Sequence, residues 1–107
     1  MAVSKIKTQG NYPLTKITRN YGIDILFKKV NGIRFLHVLG NPDGQIGTGG
    51  HTISLADTIV EAPDVFMTET QRSSASNSYF IQFGINKSVK IEPISSTKDY
   101  VNATFVY

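Results

Sequence analysis

Turn-forming residues break this chain at short, regular intervals, and that spacing constrains its fold more than any other feature. They fall at Gly10–Asn11, Asn20, Asn31–Gly32, Asn41–Pro42–Asp43–Gly44, Gly47 to Gly50, Pro63, Asn77, Asn86–Lys87 and Pro93. Between them lie short runs rich in Ile, Val, Thr, Phe and Tyr, with few strong helix formers. Short β-favouring runs separated by turn signals roughly every 8–12 residues predict an all-β protein, a compact antiparallel β-barrel or sandwich.

The clearest local signal is a hairpin of Gly22–Val30 and Ile33–Gly40 joined by Asn31–Gly32. Asn-Gly suits a two-residue type I′ turn, because both central residues need positive φ. That turn sets the register: Val30 opposite Ile33, Phe27 opposite Leu36, Ile25 opposite Val38, and Ile23 opposite Gly40. One face then carries Ile23, Ile25, Phe27, Leu36 and Val38, a continuous apolar patch. The other mixes Asp24, Leu26 and Lys28 with Phe35, His37 and Leu39. A half-apolar second face of this kind suits a subunit interface.

Further strands are expected at Thr52–Leu55, Val65–Thr70, Tyr79–Ile85, Ser88–Glu92 and Tyr100–Tyr107. In the third, Tyr79, Ile81, Phe83 and Ile85 alternate with Phe80, Gln82 and Gly84, and Asn86–Lys87 turns the chain into Val89 and Ile91. Arg72 to Ser78 reads as a polar loop. Leu55–Glu61 is ambiguous: Ser54 with Asp57, and Thr58 with Glu61, have capping-box spacing. Pro63 limits any helix there to a turn or two.

At 107 residues the chain is one domain, read as an N-terminal arm over 1–21 and a β-barrel domain over 22–107. With 40% apolar and 18% charged residues the composition is that of a globular chain. The absence of cysteine excludes disulfides, thiol catalysis and Cys-ligated metal centres. No apolar run is long enough for a membrane helix, and the polar, Lys-bearing start does not read as a signal segment.

Charge is uneven along the chain. Residues 1–34 hold Lys5, Lys7, Lys16, Arg19, Lys28, Lys29 and Arg34 against Asp24 alone, whereas the remainder is net acidic. A basic stretch with Tyr12, Tyr21 and Phe35 nearby fits a small nucleic-acid-binding barrel. However, the basic residues are scattered singly and no RNP pattern is present, so a solvated first strand and arm is the simpler reading.

Catalysis would have to use His37 or His51 as base. His37 sits between Phe35 and Leu39, where packing is its ordinary role. His51 follows a Gly-rich loop, and the serines near it lack a nucleophile-elbow context. No enzyme activity is expected. Neither a metal-ligand spacing nor a phosphate-loop pattern is present, so no metal or cofactor is expected. Gly47-Thr48-Gly49-Gly50 reads as a hairpin loop.

Saccharide binding combines an aromatic platform with planar polar groups at a rim. The residues offered for it are His51, Asp57, Arg72, Tyr79 and Gln82. Arg72 and Asp57 would bond vicinal hydroxyls or a glycerol-phosphate group, His51 and Gln82 would orient the ligand, and Tyr79 would supply an apolar face.

Taken in order, residues 22–107 resemble a recurring phage module. The resemblance rests on Gly22-Ile-Asp-Ile-Leu-Phe-Lys-Lys-Val-Asn-Gly-Ile-Arg-Phe35, a Gly-rich loop, and Ile59-Val-Glu-Ala-Pro63-Asp-Val-Phe66. It continues through Tyr79-Phe-Ile-Gln-Phe83, a turn, Val89-Lys-Ile91 and a closing strand. The family is the C-terminal head domain of receptor-binding proteins of siphophages infecting Gram-positive bacteria, lactococcal phages being the familiar case. The resemblance implies a compact antiparallel β-barrel that forms a homotrimer. It also implies non-covalent binding of host cell-wall polysaccharide, and a place in the virion at the tail tip or baseplate beside other tail proteins. On that view Leu26, Phe35, His37 and Leu39 form the trimer interface. The rival expectation is a structural decoration or assembly protein with no sugar binding.

Overall fold

The computed structural model describes residues 11–107, and the basic residues Lys5 and Lys7 lie outside them. Eight strands are present: β1 (Tyr12–Asn20), β2 (Ile23–Val30), β3 (Ile33–Gly40), β4 (His51–Ser54), β5 (Met67–Ser74), β6 (Asn77–Gly84), β7 (Ser88–Pro93) and β8 (Val101–Val106). They form two four-stranded antiparallel sheets, ordered β1-β2-β3-β8 and β4-β7-β6-β5. The all-β expectation therefore holds, with the two sheets facing each other as a sandwich.

The first sheet begins as a meander. The β2–β3 register is the one the Asn-Gly turn dictates, with Phe27 opposite Leu36 and Ile25 opposite Val38. Asn31 and Gly32 adopt φ of 51° and 82°, as a type I′ turn requires. A second two-residue turn, Tyr21–Gly22, joins β1 to β2. Residues 12–20 of the stretch read as an arm thus form an edge strand. β1 is mostly exposed, carries Pro13 and Lys16, and shifts register twice along β2. These features blunt an edge against further pairing.

The chain then crosses to the second sheet. The Gly47–Gly50 segment is not a hairpin loop: it closes a turn, Gly50 N–H donating to Gly47 C=O at 2.9 Å, on the way into β4. Just before it Ile46 pairs with Thr97 as an isolated bridge. The segment with capping-box spacing forms a turn rather than a helix. Thr58 N–H and its hydroxyl both bond the Leu55 carbonyl, and Leu55 and Val60 are buried beneath it. Among the described residues there is no helix, hence none long and apolar enough to cross a membrane.

Residues 72–78, expected as a loop, extend the β5–β6 hairpin instead, with Arg72 opposite Ser78 and Ser74 opposite Asn77. The strand expected at Val65–Thr70 thus runs as β5 from Met67 to Ser74; it is an edge strand largely outside the core, so no apolar alternation announces its second half. The sandwich interior comes from the inward faces of both sheets. Ile23, Ile25, Phe27, Leu36 and Val38 meet Ile53, Tyr79, Ile81, Phe83, Val89 and Ile91, with Val101 and Phe105 of β8 beside them.

Candidate functional site

The outward face of the second sheet is set by the alternation that buries its other side. With Ile53, Ile81 and Val89 directed inward, Thr52, Gln82 and Lys90 point outward, and the register places them in one row across β4, β7 and β6. The next row holds Ser54, Ser88 and Gly84. Gly84 leaves the floor low there, and the β6–β7 turn rises beside it with Ile85 and Asn86. Phe66, one residue before β5, closes the other flank.

Apart from Ser54, the residues of these two rows, the turn and Phe66 bound an open groove of about 380 Å³. Its flanks are apolar, with Phe66 60% and Ile85 64% exposed. Its floor offers an amide at Gln82, hydroxyls at Thr52 and Ser88, and the Lys90 ammonium. The Ser88 hydroxyl donates to Asn86 Oδ1 at 2.8 Å, holding the turn amide in place. Lys90 pairs with Glu92 at 3.0 Å. Such a mixture of planar amides, hydroxyls and apolar flanks can hydrogen-bond a polyhydroxylated molecule while covering its C–H face.

Of the five residues offered for saccharide binding, Gln82 alone lines this groove. Tyr79 must be corrected: it is fully buried, and its hydroxyl donates to the Asp99 carbonyl at 2.8 Å. The reason is phase, because Tyr79 shares the inward face of β6 with Ile81 and Phe83 while Gln82 faces outward. Arg72 folds back on its own hairpin, Nε donating to Ser74 C=O and Nη2 to Ala75 C=O. Asp57 stands exposed in the turn after β4. His51 turns toward the β1–β2 turn, its ring tilted at 32° against Tyr21 with centroids 5.0 Å apart and Nε2 2.6 Å from Asn20 Oδ1. The structure therefore does not gather these five into one site.

The groove residues missed from sequence are Thr52, Phe66, Gly84, Ile85, Asn86, Ser88 and Lys90. Part of the signal was available, since the alternation of β6 assigns Gln82 and its row partners to the outer face. Ile85 breaks that alternation because β6 ends at Gly84 and the turn swings its side chain out.

Leu26, Phe35, His37 and Leu39, expected as an interface, share the outward face of the first sheet and are half-buried. Lys28 lies over the Phe35 ring, 4.6 Å from its centroid. His37 Nδ1 is 2.9 Å from Thr104 Oγ1 on β8. Desolvation holds the imidazole pKa below its ordinary value, and the Lys28 charge adds to the effect.

A separate polar cluster ties the β4–β5 crossover to the first sheet. Lys29 Nζ and Arg34 Nη1 both donate to Glu61, at 2.9 and 3.4 Å. Arg34 also lies over the Tyr107 ring, whose hydroxyl donates to the Glu61 carbonyl. Every group in it has a partner, which marks it as a structural clasp. Among the described residues no group of three or more His, Asp or Glu side chains is placed to hold a metal ion.

Neither a family model, nor a curated protein, nor a solved structure matches the chain.

Proposed function

We propose that this domain is a non-enzymatic recognition module that holds host cell-wall saccharide in the groove on its second sheet, as part of a phage tail or baseplate receptor-binding assembly. The observation that carries the proposal is the groove itself. It places two amides, two hydroxyls and an ammonium beside the exposed Phe66 and Ile85 on one sheet face. The phage setting rests on the sequence resemblance of residues 22–107. A shallow, open site of this kind gives modest affinity for one sugar unit, and several copies in one assembly would raise it by avidity.

A second feature favours assembly as well. The outer face of the first sheet joins Leu26, Phe35, His37 and Leu39 to Val106, which lies opposite Phe35 and is 52% exposed. We propose that this face packs against further copies in a homotrimer. If it served assembly alone, the domain would be a decoration protein with no sugar site.

The test is binding to purified polysaccharide from Gram-positive walls. Gln82→Ala removes hydrogen bonds worth about 1 kcal/mol each and should weaken binding roughly fivefold or more. An Asp57→Ala, Arg72→Ala double variant, altered outside the groove, should bind as the unaltered protein does. Loss in the double variant with retention in Gln82→Ala would move the site, and no binding by the unaltered protein across a panel of walls would favour decoration.

A further inference from the structure

We infer that Glu92 sets the ligand class of the groove: by neutralising Lys90 it makes the site select an uncharged polyhydroxylated ligand over an anion of the same shape. This rests on the groove reading proposed above. Among the described residues that line the groove, Lys90 alone carries a charge. An unpaired ammonium beside Gln82, Asn86 and Ser88 would be a natural seat for a phosphate or carboxylate, since charge-assisted hydrogen bonds are the stronger ones.

Glu92 follows Lys90 by two residues on β7, so both side chains stand on the same outward face. The Lys90 ammonium donates to the Glu92 carboxylate at 3.0 Å. The lysine stem lies across Gly50, where an added Cβ would come 2.9 Å from Lys90 Cε, so the bare glycine leaves the stem its path. Across the strands Glu92 faces Phe80, and Phe80 faces Thr70, neither of them charged. Arg72, the cation nearest along β5, is engaged with the Ser74 and Ala75 carbonyls. With side chains 40% and 35% exposed, the pair contributes little to stability. Its effect is on the potential a ligand meets.

The experiment titrates the full chain and its Glu92→Gln variant with glucose and with glucose 6-phosphate, two probes that share a pyranose ring, the second carrying an added phosphate. Side-chain amide signals of Gln82 and Asn86 report occupancy by NMR. A unit charge about 4 Å from another in water changes binding by roughly fivefold. The variant should therefore bind glucose 6-phosphate about fivefold more tightly than the unaltered protein, with glucose affinity the same in both. The gain should shrink to less than about twofold in about 1 M salt, where the screening length is about 3 Å. Equal binding of the phosphate by both proteins, with glucose still bound, overturns the role of Glu92 and leaves the groove reading standing. Silence of both amides toward both probes in both proteins overturns the two together.

Discussion

Burial keeps the Tyr79 phenol neutral far above the ordinary tyrosine value of 10.0, its pKa pushed up to about 12 by desolvation and, secondarily, by the Asp99 carboxylate. Tyr107 is raised to about 12 as well: desolvation dominates, Arg34 opposes it, and Glu61 adds to it. A folded-state pKa above the unfolded one means that the unfolded chain gives up its proton first. This contribution to stability is complete below pH 10 and drains away as pH rises toward and through 12. Denaturant midpoints measured across that range should fall steeply. Tyr79→Phe should flatten part of the fall, and at neutral pH should cost about 1 kcal/mol for the lost bond to the Asp99 carbonyl. An unchanged alkaline slope in the variant would show that Tyr79 is not the buried phenol responsible. The residue most attractive as a sugar platform in the sequence thus belongs to the core. The alternation Tyr79, Ile81, Phe83 already carried that information.

Between elements, the two sheets meet where β5 and β8 run side by side, and one side chain joins them. Gln71 of β5 donates through Nε2 to the Tyr100 carbonyl at 2.8 Å and accepts the Asn102 N–H through Oε1 at 2.7 Å. A side-chain amide here does what a neighbouring strand's peptide would do, occupying two backbone groups at the free edge of β8. Gln71→Ala should cost about 1–2 kcal/mol in unfolding free energy, about 1 for each bond. Hydrogen exchange at the Asn102 amide should quicken by more than exchange at buried strand positions such as Val38. Uniform quickening across the domain would mean that the seam opens only with global unfolding. No periodic pattern identifies Gln71, because its partners lie about thirty residues away.

At the scale of the whole molecule, the two outward sheet faces differ in chemistry. The second sheet presents the groove. The first presents Leu26, Phe35, His37, Leu39 and Val106, bordered by Lys28 and Asp24. A closed ring of three copies would bury a face of this kind repeatedly and leave the groove available on each subunit. Light scattering should find a particle near three times the 11.8 kDa chain mass. Phe35→Asp should reduce it to the single chain by placing a desolvated charge in the interface. An 11.8 kDa particle from the unaltered protein at high micromolar concentration would remove the trimer.

Local chemistry determined much of this protein from its sequence. Asn31–Gly32 can turn tightly in only a few ways, so it set the β2–β3 register, and strict alternation decided which side chains of β2, β3, β6 and β7 face inward. Those are properties of neighbouring residues and of a period of two. The groove was decided elsewhere. Thr52, Phe66, Gln82 and Lys90 come from four separate stretches, and only the sheet order β4-β7-β6-β5 makes them neighbours. That order depends on the β3–β4 crossover between sheets and on the long β4–β5 connection within the second sheet, whose paths follow from burying Ile46, Leu55 and Val60 against both sheets rather than from any local propensity. The same long-range packing made a strand of the polar run 71–74, beyond the Thr70 at which the expected strand ended, and folded Arg72 onto the carbonyls of its own hairpin, because an edge strand is held by hydrogen bonds that its own sequence does not advertise.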